Sequence, residues 1–217
     1  MCFLYYAMVY IFFLRGCLIA LLAACSLPGL CQSSQPLFKL LPPTATGIGF
    51  RNDIAENDTL NILNQANIYN GGGNGIGDFN NDGLTDIYFA GNMQPNRLYL
   101  NKGSMRFEDI TDAAHAGDEG RWWTGVSVMD INADGRLDIY IAASFRKDVL
   151  SRTNLLYINQ GNDNNNVPQF KEQASAYGLA DEGFSTQGYF FDYDRDGDLD
   201  VYVVTNALDD PKTPIRF

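Results

Sequence analysis

The chain has 217 residues, a formal net charge of −11 and an isoelectric point near 4.3. An acidic chain of this kind argues against a nucleic-acid partner, which requires clustered lysine and arginine. The four cysteines all precede residue 37, so disulfides do not hold the remaining chain together. Residues 37–217 must therefore fold around a hydrophobic core.

The N-terminal segment, residues 1–25, is almost entirely apolar and is interrupted by Arg15. It ends in the letters LAAC at Cys25, which resemble a bacterial lipobox, where the cysteine is lipidated and becomes the mature N-terminus. We therefore predict a lipoprotein signal, lipidation of Cys25, and an exported lipoprotein of the outer membrane or cell surface of a Gram-negative-type bacterium. An uncleaved membrane anchor and an ordinary cleaved signal, which would give a periplasmic protein, are the alternatives.

The next segments connect this signal to the repeated part of the chain. Residues 26–36 are small and polar and predict a flexible tether. Residues 38–48 share a leading Phe and a trailing Gly-apolar pair with later segments that begin at Phe107 and Phe170. They predict an outer strand that closes a ring of repeats, although their two consecutive prolines favour the alternative of a linker. Residues 51–70 predict a short helix or a long loop.

A unit of four short strands then follows in two complete copies and one half copy. Its apolar runs are rich in β-branched and aromatic residues, which favour strands over helices. The equivalent loops are 52 and 62 residues apart, and the extra residues fall in connections, where a repeated sheet tolerates them. This period is typical of β-propellers, so we predict an all-β fold of four-stranded antiparallel blades in residues 37–217. Because propellers close with about four to eight blades, we expect the remaining blades to lie in a longer chain or a partner.

The loop between the first two strands of each unit fits the pattern D-x-[DN]-x-D-G-x-x-D, with oxygen-bearing side chains at positions 1, 3, 5 and 9. Calcium takes about six to eight oxygen ligands, and alternate residues of a tight loop can point at one ion. Position 7 would contribute its backbone carbonyl, which explains why its side chain varies. We predict three calcium sites. Their ligands are Asp78, Asn80, Asp82, Leu84 and Asp86 in the first loop, Asp130, Asn132, Asp134, Arg136 and Asp138 in the second, and Asp192, Asp194, Asp196, Asp198 and Asp200 in the third.

The loops resemble an EF-hand over their nine positions, but position 12 is apolar and a strand follows, so these would be calcium loops within a β structure. Asp/Asn/Gly turns without metal are the alternative.

The third loop has four side-chain carboxylates at its ligand positions, against three in each of the others. Ligand charge raises calcium affinity, and it also raises repulsion in the empty site. We therefore expect the third loop to depend most on calcium.

These repeats resemble FG-GAP/VCBS repeats, the calcium-bearing propeller blades also seen in integrin alpha subunits. The resemblance is carried by YNGGGNGIGDFNNDGLTDIYFAGNMQPNRLYLNKG, WTGVSVMDINADG and FFDYDRDGDLDVY, and it covers about residues 37–206. These segments look like exported bacterial proteins of the ASPIC/UnbV group, which have a lipoprotein signal, a string of such repeats and a C-terminal ASPIC/UnbV domain. The resemblance implies an N-terminal fragment of such a protein, and no activity of the C-terminal domain carries over.

The residues offer little that points to catalysis. His115 stands in a connection and is expected to be solvated, and the Gly71–Gly75 cluster lacks the spacing of a nucleotide-binding loop. Trp122 and Trp123 favour packing between blades, with stacking on a sugar ring as the alternative. We therefore predict that this chain is not an enzyme.

The leading hypothesis is an exported, lipid-anchored calcium-binding β-propeller module that binds a protein or a glycan at the cell surface. It has no nucleic-acid partner and contacts the membrane only through its lipid. The alternative is the N-terminal scaffold of a larger exported enzyme, a hydrolase or lyase, whose catalytic residues lie in missing blades or a C-terminal domain. A purely structural spacer is the third class.

Overall fold

The computed structural model describes residues 36–58, 60–63, 68–144 and 152–206. The predicted signal with Cys25, nearly all of the tether and the segment after residue 206 lie outside the described residues. Among the described residues, no helix has the length and apolar character needed to cross a membrane.

The fold consists of antiparallel sheets whose strands follow one another in chain order. Blade one contains β1 (Asn74–Gly77), β2 (Asp86–Phe89), β3 (Arg97–Asn101) and β4 (Phe107–Asp109). Blade two contains β5 (Trp122–Met129), β6 (Asp138–Ser144), β7 (Leu155–Asn162) and β8 (Pro168–Glu172). Blade three contains β9 (Ser185–Phe191) and β10 (Asp200–Thr205). The prediction of four-stranded antiparallel propeller blades is confirmed, and the described blades do not form a closed ring.

Strand register places the three Asp-rich loops at equivalent positions. In each blade the residue before the loop pairs with the aspartate at loop position 9. The pairs are Gly77 with Asp86, Met129 with Asp138, and Phe191 with Asp200. Each nine-residue loop is therefore the hairpin connection between the first two strands of its blade.

The hydrophobic core lies between the blades. One buried cluster joins blades one and two, and a second joins blade two to the partly buried apolar residues of blade three. Strand β6 is buried along its whole length because it has a blade on each side. Trp122 and Trp123 are 2% and 0% exposed, so the alternative that they stack on a sugar ring is wrong.

Glycines in the first strands allow the blades to approach closely. A Cβ at Gly75 would lie 2.8 Å from both Val126 Cγ1 and Val128 Cγ2 of blade two. A Cβ at Gly188 would lie 2.6 Å from the ring of Tyr140. The side chains of one blade thus fill the space left by glycines of its neighbour.

The predicted outer strand in residues 38–48 is wrong, because a single-turn helix, α1 (Pro43–Thr46), stands there instead. Proline lacks an amide proton for a sheet but is favoured in the first helical turn. Gly47 ends the helix with a φ of 81°. In sequence, helix α1 follows Phe38 at about the same distance at which turns at residues 111–115 and 174–178 follow Phe107 and Phe170. The Phe and Gly that the three segments share therefore mark a common turn. The described part of residues 51–70 is a long loop without helix.

We expect Gly75→Ala to lower the free energy of unfolding by about 1–3 kcal/mol, since overpacking a tight contact forces its neighbours apart. Gly49→Ala is the control, because its Cβ would meet nothing within 4 Å and its φ is ordinary. Urea unfolding of both variants provides the measurement. Equal stability of the two would contradict the close packing of blades one and two.

Candidate metal centres

The first loop folds its acidic side chains onto its own backbone. The Asp78 carboxylate accepts hydrogen bonds from the amides of Asp82 (3.0 Å) and Gly83 (2.7 Å). The Asp82 carboxylate accepts from the Leu84 amide (2.9 Å) and from Asn80 Nδ2 (3.0 Å). The residues predicted at ligand positions 1, 3 and 5 are therefore held close together within the loop.

The other two loops repeat much of this arrangement. In the second loop, Asp130 accepts from the amides of Asp134 (3.0 Å) and Gly135 (2.8 Å). In the third, Asp192 accepts from the Gly197 amide at 3.2 Å. All three loops turn through left-handed residues at position 6, where glycine adopts such a φ without strain, and also at position 4, which the sequence did not reveal. The position-4 residues are Asn81, Ala133 and Arg195, with φ values of 56°, 56° and 65°.

The aspartate at position 9 connects the loop to the rest of its blade. Asp86 is fully buried, and its carboxylate accepts from the amides of Phe79 (2.9 Å) and Asn101 (2.8 Å). Burial raises the pKa of Asp86 to about 6. The hydrogen bonds from the two backbone amides oppose this shift, and the negative charges of Asp82 and Asp78 add to it. Asp86 therefore links the beginning of its loop to β3.

Blade two repeats this arrangement, and blade three repeats half of it. Asp138 accepts from the amides of Ile131 (3.0 Å) and Asn159 (2.8 Å), and burial raises its pKa. Asp200 accepts from the Tyr193 amide at 2.8 Å. The position-9 aspartates are thus structural hydrogen-bond acceptors as well as candidate ligands. The sequence pattern predicted only the ligand role.

An unpartnered oxygen marks the first loop as a candidate cation site. Asn80 is 4% exposed, and its Nδ2 donates to Asp82 Oδ2 (3.0 Å) and to the Asn166 carbonyl (3.2 Å). Its Oδ1 is buried without a hydrogen-bond donor. A buried acceptor without a partner costs about 1–3 kcal/mol. A bound cation would satisfy this oxygen, so the residues of the loop fit the predicted calcium.

The third loop gathers carboxylates at the protein surface. Asp192, Asp194 and Asp200 are all exposed, and each offers a carboxylate oxygen within 4.8 Å of the others. Asp196 lies outside this group and accepts the amide of Asp198 at 3.1 Å. A hydrogen bond to Asp196 and its negative charge raise the pKa of Asp198. Three of the four predicted side-chain carboxylates therefore converge, as a divalent cation requires.

The second loop already contains a cation of its own. The Arg136 guanidinium lies 2.5 Å from Asp134 Oδ2, and its Nε donates to the Asn159 carbonyl at 3.1 Å. The sequence pattern requires only the backbone carbonyl at position 7 and no particular side chain, so this ion pair is a finding of the structure. The backbone carbonyls of Leu84, Arg136 and Asp198 remain predicted ligands.

His115 and Cys25 are the remaining residues singled out from the sequence. His115 is an exposed residue with a φ of 56°, consistent with the predicted solvated histidine. Cys25, the predicted lipidation site, lies outside the described residues.

Comparison with known proteins supports the repeat. Residues 78–141, which include the first and second loops, match the family described as FG-GAP-like repeat. The chain is also similar to Cartilage acidic protein 1 of Xenopus tropicalis, with 36% identity over 74 residues. That alignment covers 34% of this chain and 11% of the relative, so the chain spans only a small part of that protein's length. Membership of the ASPIC/UnbV group and a bacterial origin remain predictions.

We expect Asp86→Ala to lower the free energy of unfolding by about 2–4 kcal/mol even in chelator, because it leaves two amides without an acceptor. Asp82→Ala is the matched control, since Asp82 is an exposed loop residue. Its loss should cost about 1 kcal/mol or less under the same conditions. Urea unfolding in EDTA tests the difference, and equal costs would mean that Asp86 has no separate structural role.

Proposed function

We propose that this chain is a calcium-binding β-propeller module with one ion in each of its three loops. The unpartnered, buried Asn80 Oδ1 is the observation that carries the proposal. The gathered carboxylates of the third loop support it. Donor sets made only of oxygen, without histidine or cysteine, suit a hard cation such as calcium.

The proposed role of calcium is to stabilise the propeller. An ion in the third loop would relieve the repulsion among carboxylates that share a small space. A site filled to about 100 times its dissociation constant adds roughly 2.7 kcal/mol to stability when the unfolded chain does not bind. Export, as proposed from the N-terminal segment, would place the loops where weak extracellular-type sites are filled.

The exposed face of blade three supports a larger propeller. Tyr189, Phe191 and Tyr202 are 55%, 44% and 64% exposed. Tyr202 occupies the position of Tyr88 and Tyr140, which are fully buried in blades one and two. Since a following blade covers those two positions, we propose that a further blade covers this aromatic face.

We further propose that the module is lipid-anchored at the cell surface and binds a protein or a glycan. Support comes from the lipobox-like segment and from the FG-GAP-like repeat. The alternative is an N-terminal scaffold of a larger exported enzyme, a hydrolase or lyase.

Calorimetric titration with calcium should show saturable binding, and Asp194→Ala should weaken it more than Asn132→Ala. Both residues are exposed at position 3 of their loops, but only Asp194 belongs to the converging group. Magnesium should compete poorly, because it requires a smaller and more regular octahedral site. No saturable calcium binding, or equal competition by magnesium, would refute the calcium sites.

Lipidation is tested by growing the expressing bacterium with a radiolabelled fatty acid. The wild-type chain and Cys31→Ser should be labelled, whereas Cys25→Ser should not, because the thiol at Cys25 carries the proposed lipid. Equal labelling of the Cys25→Ser and Cys31→Ser chains would remove the lipid anchor from the proposal.

A further inference from the structure

The first loop is bonded to blade two as well as to its own blade. Asn162 Nδ2 donates to the Asn80 carbonyl at 2.8 Å, and Asn80 Nδ2 donates in return to the Asn166 carbonyl at 3.2 Å. Asn159 Nδ2 donates to the Phe79 carbonyl at 2.8 Å. Two consecutive residues of the first loop are therefore held by the β7–β8 hairpin of the next blade.

The turn of this hairpin, residues 162–167, has internal bonds that fix its shape. The Asp163 carboxylate accepts from the amides of Asn165 (2.8 Å) and Val167 (2.9 Å). Asn162 Nδ2 also donates to Asn166 Oδ1 at 2.9 Å, and Asn166 adopts a φ of 61°. We call this segment the blade-two turn, and its bonds give it a defined surface to present to the first loop.

Asn80 is the residue at which the turn and the candidate ion meet. Its carbonyl and its Nδ2 are bonded to the blade-two turn, whereas its Oδ1 has no donor. The side-chain amide of Asn80 is planar. Hydrogen bonds that hold its Nδ2 and the backbone carbonyl of the same residue therefore also restrict where Oδ1 can lie. Blade two thus limits the orientation of a predicted ligand in blade one.

We propose that the blade-two turn positions Asn80 for the ion of the first loop, so that calcium binding there is coupled to the contact between blades one and two. This inference rests on the proposed calcium function. Coupling between two sites is reciprocal, so a turn that strengthens calcium binding is itself stabilised by calcium to the same extent. Asn162 is then a positioning residue for a metal site in another blade.

The second loop offers the matched comparison. Asn132 holds the same position as Asn80 but is exposed. Its Nδ2 donates to Asp134 Oδ2 (3.0 Å), and its Oδ1 accepts from the Asp134 amide (3.2 Å), so these side-chain bonds stay within the loop. In blade one, Asn101 stands where Asn159 stands in blade two, and its Nδ2 donates to the Thr85 carbonyl of its own blade. Blade three is described only as β9 and β10, so within the described residues no hairpin equivalent to β7–β8 faces the second loop. The second loop is therefore the comparison without such a turn.

Hydrogen exchange of the full chain, measured by mass spectrometry during calcium titration, tests this coupling. Calcium should slow exchange in residues 78–86 and in the blade-two turn together. Asn162→Ala should abolish calcium-dependent protection of the turn. It should also raise the calcium concentration at the midpoint of first-loop protection about 3- to 10-fold, which corresponds to the free energy of one net hydrogen bond. Asn165→Ala is the control, because Asn165 is exposed in the same turn and its Nδ2 bonds only to Asp163.

A second pair of variants separates ligation from positioning. Asn80→Asp and Asn132→Asp each retain a side-chain oxygen at position 3, as Asp194 supplies in the third loop. Only Asn80→Asp removes the donor to the Asn166 carbonyl. Both variants should still bind calcium in their own loops, but only Asn80→Asp should lose calcium-dependent protection of the blade-two turn.

The outcomes distinguish this inference from the function on which it rests. If calcium protects none of the three loops in the wild type, the proposed calcium function fails. If calcium protects the first loop with the same midpoint in wild type and Asn162→Ala, only the coupling is overturned. Equal shifts of the first-loop calcium midpoint in Asn162→Ala and Asn165→Ala would also overturn the coupling, because they would show that any substitution in the turn has this effect.

Discussion

The pair of hydrogen bonds accepted by the position-9 aspartate is the interaction on which each complete blade depends. Asp86 and Asp138 each bind the amide at the second loop position and an amide of the third strand. One carboxylate therefore joins the loop, the second strand and the third strand at a single point. Its burial is unfavourable for a charge, and a cation in the loop would offset that cost.

The contacts between blades depend on a second constraint, which is the complementary size of facing side chains. Gly75 faces Val126 and Val128, and Gly188 faces Tyr140. Side chains and glycines thus interlock, and the core forms between sheets rather than within one sheet. The aromatic face of blade three, formed by Tyr189, Phe191 and Tyr202, is exposed because no following blade lies against it within the described residues.

The three loops share one sequence pattern but have different surroundings. The first is covered by the blade-two turn and contains an unpartnered oxygen. The second places the Arg136 guanidinium on one of its own candidate ligands. The third is exposed and brings three carboxylates together. The neighbouring blade in the first loop, and the residues at variable loop positions in the other two, therefore distinguish how each loop can respond to a cation.

The sequence by itself determined the strands, the loops and their order. Strand preference, apolar runs and the glycine at loop position 6 are local properties, so they predict local structure without knowledge of the fold. The same reasoning failed at residues 38–48, where it read a shared Phe and Gly as a strand and the prolines formed a helical turn instead.

Only the tertiary structure decided which groups meet across the blades. The bond from Asn80 to Asn166 joins residues 86 positions apart, and the bond from Asn159 to Phe79 joins residues 80 positions apart. The burial of Trp122 and Trp123 likewise depends on blades packed on both sides of β5. The repeat pattern of the sequence does not predict such contacts, because they form only when one sheet packs against the next. The sequence therefore predicts where a cation can bind, and the packing of the blades determines which other parts of the protein that cation can affect.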